Sequence, residues 1–424
     1  MRVFADLHIH SKYSRAVSRD MDLSHLDHWA KVKGINVMGT GDFTHPKWFQ
    51  SIATELQEDG SGLLQRIGSD EKTKFLLTVE ISCIYSRAGK VRRIHLVVLM
   101  PDLKSAELFN ARLNAIGNIR SDGRPILGLD AEELVKLALE ITPRAAVIPA
   151  HIWTPWFSLF GSMSGFDSVA ECFGTMAKHI FAIETGLSSD PAMNWRLSQL
   201  DAISITSSSD AHSPKPNKMG REATEFELKE LTYDAIIDAL KSQPHRADRQ
   251  LPANHIISTI EFFPEEGKYH WDGHRDHGLR FSPAETKKLK GLCPKCGSRL
   301  TIGVEHRVDL LADRPADYQP TNRPPFSRLI PLEEIIAEAL GQQPGTKRVA
   351  QVYERMTKET DEFHILRDMT ESELSAITDP MLIEGIRRAR AGKVKITPGY
   401  DGVFGTVHIF SDAERSARGQ AKLF

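Results

Sequence analysis

Along residues 2–240, short runs rich in β-branched and apolar residues alternate with segments whose apolar positions recur at helical spacing. The runs at 3–9, 35–40, 75–81, 94–99, 145–149, 180–184 and 202–206 predict seven strands. Segments 23–33, 131–141 and 233–240 predict amphipathic helices between them. Strands alternating with helices imply an α/β fold with a parallel sheet and crossover helices, and seven such units suit a closed or nearly closed barrel. Chemistry is then expected at the ends of strands. The pattern breaks at 244–254, where Arg, Asp, Gln and Pro suggest a linker. A region at 255–322 holds a Cys pair and several histidines. Beyond it, 332–340, 347–357, 371–377 and 380–390 predict helices, Gly399-Tyr-Asp-Gly402 a turn, and 405–410 a strand. The expected division is a barrel over 1–245, a cysteine-containing module over 255–322 and a mostly helical region over 325–424.

Composition narrows the classes. With 41% hydrophobic and 26% charged residues, the 424-residue chain has the make-up of a folded protein rather than a disordered, collagenous or coiled-coil one. No stretch approaches the roughly 18 uninterrupted apolar residues of a membrane span, and the N-terminal residues lack a basic segment followed by an apolar one. The expectation is a cytoplasmic protein with no membrane partner. Four cysteines cannot staple a chain of this length, and Cys293-Pro-Lys-Cys296 favours a metal over a disulfide in a reducing compartment. The net charge of −2 predicts no global attraction to nucleic acid, but residues 268–307 carry nine Lys/Arg against four Asp/Glu. That segment is either a solvated basic face or a phosphate-binding surface.

Metal-ligand residue types recur at the predicted strand ends. His8-Ile-His10 places two imidazoles on one side of an extended chain. Asp42 and His45 follow in Gly41-Asp-Phe-Thr-His45, then Glu80, His95, His151 in Pro-Ala-His151, and Asp210 and His212 in Ser209-Asp-Ala-His212. Taken alone, a His-x-His pair is more readily a core or surface feature than a metal site. Six histidines and several carboxylates at one barrel mouth would each carry a desolvation cost, which divalent ions relieve. No Gly-x-Ser-x-Gly elbow or phosphate-cradling glycine loop competes with this reading.

The order of these motifs resembles the PHP family, named for its polymerase and histidinol-phosphatase members. The resemblance implies a PHP-type distorted (β/α)7 barrel holding two or three divalent ions, with zinc, manganese, magnesium and iron all compatible with such ligands. It implies that His8, His10, Glu80 and Asp210 hold one ion, that Glu80 bridges to a second bound by His95 and His151, and that His45 and His212 hold a third. Asp42 is either a ligand or an acceptor that orients one. Relatives often supply a further Asp or His shortly after the His pair, where this chain reads Ser11-Lys-Tyr-Ser-Arg15. Glu80, Asp210 and His212 are the implied catalytic residues. Clustered divalent ions activate water and stabilise the oxygens of an in-line displacement at phosphorus, so phosphoester hydrolysis is the implied reaction.

In the second region, His274 and His277 with Cys293 and Cys296 supply four ligands for one structural zinc, the alternative being a turn with incidental thiols. The strings Pro149-Ala-His-Ile-Trp-Thr-Pro-Trp-Phe157, Glu184-Thr-Gly-Leu-Ser-Ser-Asp190, Ser209-Asp-Ala-His-Ser-Pro214, Thr301-Ile-Gly-Val304 and Gly399-Tyr-Asp-Gly402 are similar to those of the endonuclease Q family. The similarity runs over essentially the whole chain, with a Cys common in relatives where this chain has His277. It implies a DNA repair endonuclease that cuts 5′ of hypoxanthine, uracil, xanthine or an abasic site, with damaged DNA as substrate. A replication or repair protein is left open as a partner. Trp153, Trp156 and Phe157 would then wall a pocket for an extruded base, or else pack the core of a long loop. Two other classes remain: a phosphatase of small phosphomonoesters, and a non-catalytic DNA-binding protein with structural metals.

Overall fold

The computed structural model describes residues 1–70, 72–242, 251–411 and 413–414; of the expected linker, residues 244–250 lie outside this set. The chain is a mixed α/β structure with a helical C-terminal region. All seven expected strands are present, with altered bounds. Arg2–Asp6 runs parallel to Val37–Gly39, and that strand runs parallel to Lys74–Arg87. Lys90–Met100 is antiparallel to Lys74–Arg87 and to Ala146–Pro149, whereas Ala182–Glu184 and Ser204–Thr206 are parallel to each other. The ring closes through single bonds on either side of that pair. The Ile152 N–H donates to Glu184 O at 3.2 Å, and the His10 N–H donates to Ala211 O at 3.0 Å beside an Ile9–Ala211 bridge.

The barrel therefore departs from the expected run of parallel βα units. Its two longest strands form a direct hairpin, because Ala88 and Gly89 both adopt positive φ (52° and 72°). Two consecutive left-handed residues make the tight turn whose twist matches antiparallel strands. The sheet also extends outward. Ala223–Glu227 pairs antiparallel with Arg2–Asp6, His255–Glu261 pairs antiparallel with Ala223–Glu227, and Phe326–Arg328 joins that edge in parallel. Residues 255–261, expected to open the cysteine-containing module, are thus hydrogen-bonded into the main sheet.

Alternation along the central hairpin separates two faces. Phe75, Leu77, Val79, Ile81, Ile94, Leu96 and Val98 are buried outward among helix residues such as Leu26, Ile52, Phe109 and Leu134. Leu76, Val97 and Leu99 point inward, where they meet Val3, Ala5, Ala146 and Ile148. Glu80 and His95 share this inward parity. The apolar plug fills the barrel beneath them and leaves their polar ends at its mouth.

The four expected C-terminal helices form at Leu332–Leu340, Lys347–Met356, Glu371–Ile377 and Pro380–Arg390. A hairpin of Lys395–Thr397 with Thr406–His408 follows, shorter than the expected strand. A buried polar knot ties this region to the barrel's first helix, Leu23–Lys33. Lys33 Nζ donates to Glu362 Oε1 at 2.7 Å, and Glu362 also accepts from the Tyr353 hydroxyl (2.6 Å) and the Leu332 N–H (3.0 Å). Among the described residues no helix is long and apolar enough to cross a membrane.

Candidate metal centre

Six of the predicted residues converge at the barrel mouth. His8, His10 and Asp210 form one group of potential ligands, and Glu80, His95 and His151 another, with the ligand atoms of each group all within 4.8 Å of one another. Glu80 joins them. Its Oε1 lies 2.6 Å from His95 Nδ1, 3.0 Å from His151 Nε2 and 3.7 Å from His8 Nε2, while Oε2 lies 3.4 Å from His10 Nε2. Asp210 Oδ1 lies 3.1 Å from His10 Nε2 and 3.8 Å from His8 Nε2.

Each of the four imidazoles spends its other nitrogen on a partner outside the cluster. His8 Nδ1 is 3.0 Å from both oxygens of Glu184, and His10 Nδ1 is 3.0 Å from Asp42 Oδ1. His95 Nε2 is 3.1 Å from Ser82 Oγ, and His151 Nδ1 is 3.2 Å from Thr154 Oγ1. A carboxylate at Nδ1 fixes the tautomer that leaves Nε2 with a free lone pair, as metal-ligating histidines require. His8 Nε2, His10 Nε2 and Asp210 Oδ1 are buried with no well-aligned hydrogen bond, the last two failing to make one despite lying 3.1 Å apart. Orphaned atoms of this kind are costly unless an ion takes them, so the residues present fit a divalent metal centre.

The backbone is bent to serve this mouth. Asp42, His151, Phe157 and Asp210 account for four of the eight non-glycine residues with positive φ among the described residues. Concentration of that strain at one place marks a functional site rather than incidental turns. Without an ion, the clustered carboxylates and imidazoles charge one another. Burial opposes the charged form of Glu80, but the surrounding imidazoles, His95 and His8 foremost, hold it well below the usual carboxylate range. Burial likewise opposes protonation of His8 and His10, yet Glu184 and Glu80 beside the first, and Asp42 and Asp210 beside the second, hold them well above the ordinary value. His95, dominated by burial, falls to about 4 and stays neutral.

Asp42 is an orienting acceptor by geometry: while Oδ1 faces His10, Oδ2 accepts from the Ser11 N–H (2.6 Å), the Ser11 hydroxyl (2.7 Å) and the Ser14 hydroxyl (2.8 Å). His45 and His212 are not brought into either group. His45 stands just before the helix Pro46–Glu55, makes no side-chain cap to it, and stacks on Tyr13 with ring centroids 4.5 Å apart; its Nδ1 is buried without a partner. His212 Nδ1 lies 2.8 Å from the Asp210 carbonyl oxygen, with its ring 4.7 Å from that of His10. Trp153 turns into the core rather than toward the mouth. It is fully buried, its indole N–H donates to Asn194 Oδ1 at 2.8 Å, and it packs on Phe160 in the core. The pattern of aromatics identified the loop but not which rings turn inward. Trp156 and Phe157 remain half-buried, Phe157 with its ring 4.7 Å from that of His95 and Trp156 edge-on to Tyr269.

Two residues in contact with the ligand groups escaped the sequence reading. Glu184 ends its strand and serves both groups, accepting from His8 Nδ1 and from the His151 N–H at 3.1 Å. A carboxylate closing a predicted strand was the available signal. Arg124, in the loop after helix Leu103–Ile116, places Nη1 3.2 Å from Glu80 Oε2; nothing local marked it.

The second centre assembles His274, His277, Cys293 and Cys296. Two knuckles supply them. One is the hairpin Asp272–His274 with Leu279–Phe281, closed by Arg275–His277; the other is the Cys293–Gly297 turn, where the Gly297 N–H donates to Cys293 O at 2.8 Å. Cys293 Sγ lies 3.4 Å from His277 Nδ1, and Cys296 Sγ lies 3.5 Å from His274 Nδ1. A closed set of two thiols and two imidazoles fits tetrahedral zinc. The C-terminal turn braces this module: the Trp271 N–H donates to Gly399 O (2.9 Å), and Asp401 accepts from the Arg275 N–H and the Thr301 hydroxyl, both at 2.7 Å.

Comparison with known proteins bears on the whole chain. A family profile described as the MJ0043 C-terminal domain matches residues 331–393. The uncharacterized protein MJ0043 of Methanocaldococcus jannaschii is 34% identical over 258 residues, 61% of this chain but only 31% of that longer protein. The crystal structure of the lesion-specific endonuclease PfuEndoQ from Pyrococcus furiosus superposes with a TM-score of 0.84 at 32% identity, covering 100% of this chain and 99% of that one. A complex of endonuclease Q with a 27-mer duplex substrate carrying an abasic lesion at the active site also gives 0.84, at 33% identity over 97% and 98% of the two chains.

Proposed function

The chain belongs to the endonuclease Q family, and from that premise we propose that it is a metal-dependent DNA repair endonuclease, cutting duplex DNA on the 5′ side of a deaminated base (hypoxanthine, uracil or xanthine) or an abasic site. One observation carries the reading: Glu80 faces both ligand groups, and the inward atoms His8 Nε2, His10 Nε2 and Asp210 Oδ1 are buried with no well-aligned hydrogen bond. His8, His10 and Asp210 would hold one divalent ion and His95 and His151 another, with Glu80 between them. Ions so placed supply a hydroxide-like water and charge neutralisation at phosphorus. The protein's own part is orientation. Glu184, Asp42, Ser82 and Thr154 fix the imidazoles so that the phosphodiester meets a rigid set of ligands rather than side chains that must reorganise.

Phe157, beside His95, and Trp156 give the mouth apolar walls suited to a base taken out of the stack. The module built on Cys293 and Cys296 would hold a structural zinc, and with the basic residues around it would grip backbone phosphates. The test is incubation of the purified chain with duplexes bearing one uracil, hypoxanthine, xanthine or abasic site, with undamaged duplex and chelator as controls. Incision immediately 5′ of the lesion that disappears with chelator is expected. Intact lesion duplexes together with turnover of a small phosphomonoester would replace the reading with a phosphatase.

A further inference from the structure

Arg124 is a cation among groups otherwise suited to bind cations. Its guanidinium donates to Glu80 Oε2 at 3.2 Å, and its side chain keeps 26% of its surface exposed at the barrel mouth. Glu80 does not need it. Both carboxylate oxygens already face imidazole nitrogens, and divalent ions held by the two groups would satisfy Glu80 while repelling a guanidinium a few ångströms away.

The root of this arm is tied down by backbone hydrogen bonds, its tip by one carboxylate. The Arg124 N–H donates to Asp122 Oδ1 (3.1 Å), and the preceding Gly123 N–H donates to Tyr13 O (3.1 Å). A Cβ at Gly123 would sit 2.4 Å from Asp42 Oδ2 and 2.5 Å from Ser14 Oγ, so the loop can lie this close to the metal centre only with glycine there. The guanidinium tip, by contrast, is held by a single carboxylate. A planar fork of donors with permanent charge matches phosphate oxygens better than any other side chain.

Resting on the nuclease reading, we propose that Arg124 is a catalytic residue: it leaves Glu80 when the metal centre is filled and donates to a non-bridging oxygen of the scissile phosphate. There it meets the charge that grows as the phosphorus becomes five-coordinate. Removal of a donor of this type costs about 100-fold to 1,000-fold in rate.

The full chain carrying Arg124→Ala or Arg124→Lys is compared with wild type on a duplex with one abasic site, and bound metal per chain and duplex affinity are measured alongside. Arg124→Ala should cut at least about 100-fold more slowly at saturating DNA, with metal content unchanged and affinity within a few-fold of wild type. Arg124→Lys should retain part of the rate. A neutral methylphosphonate at the scissile linkage supplies the readout a structural role would not move: its penalty should be large in wild type and much smaller in Arg124→Ala. Equal penalties in both proteins, or recovery of Arg124→Ala by excess metal, would overturn the proposal and leave Arg124 as a support for Glu80. Wild-type incision with an unimpaired Arg124→Ala sinks this inference alone. A wild type that leaves every lesion duplex intact sinks the nuclease reading and this inference with it.

Discussion

Replacing Glu184 by Gln tests whether the cluster is built for metal. Glu184 is buried, 2% exposed, and its side chain touches both ligand groups, through His8 Nδ1 and the His151 N–H. Gln keeps the shape but removes the charge: with its carbonyl oxygen in the Oε1 place both contacts survive, but its amide nitrogen then faces His8 Nδ1, donor against donor, from the Oε2 place. A hydrogen bond to a charged group is worth about 1.5–3 kcal/mol, and loss of an outer partner of a ligating histidine typically costs about 10-fold to 100-fold in metal affinity, the same energy. Glu184→Gln should therefore weaken metal binding about 10-fold to 100-fold, read by competition with a chelator of known affinity. Incision should return to within a few-fold of wild type once metal saturates. Unchanged affinity would refute the reasoning, as would a rate loss that persists when both proteins carry equal metal.

Further outcomes follow from the same geometry. Asp210→Ala should abolish incision while leaving duplex affinity largely intact in an anisotropy titration; retained cutting would contradict its place in the first ligand group. Protons compete with metal at His8 and His10, whose neighbouring carboxylates hold them well above the ordinary value, so metal affinity should rise as pH rises and fall as it is lowered, by about tenfold per unit for each proton displaced. A pH-independent affinity between 6 and 8 would argue that these imidazoles bind no ion. Cys293→Ser should lose the structural zinc, weaken DNA binding and make it less salt-dependent, with zinc content and affinity at two salt concentrations as the check. Lys33→Met leaves Glu362 buried without its cation and should cost about 3–5 kcal/mol in docking the C-terminal helices; a urea titration moving by less than about 1 kcal/mol would show that the pair contributes little.

What could be read in advance was local. Period-two and period-3.6 patterns located the seven barrel strands and the C-terminal helices because burial of one face writes itself into neighbouring residues. Strand direction is not written that way. The hairpin at Ala88-Gly89 depends on two positive φ values that Ala does not advertise, so a crossover was expected where the chain simply turns back. The strand His255–Glu261 was set apart by the breaker-rich segment before it, although its pairing partner lies on the far side of that segment. His8, His10, Glu80, His95, His151 and Asp210 stood out because ligand types at strand ends are rare in a core. The contacts of Glu184 and Arg124 with the ligand groups are to partners more than 30 residues away in sequence, which no spacing rule reaches. Trp153 shows the converse limit: its residue type suited a pocket, but the direction of its ring is decided by Asn194 and Phe160.

Anomalous diffraction from crystals of the full chain grown with manganese tests the central claim most directly. Two peaks flanking Glu80, one reached by His8, His10 and Asp210 and the other by His95 and His151, are the expected result. Peaks elsewhere, or none at this mouth when the protein has been saturated with metal, would contradict it.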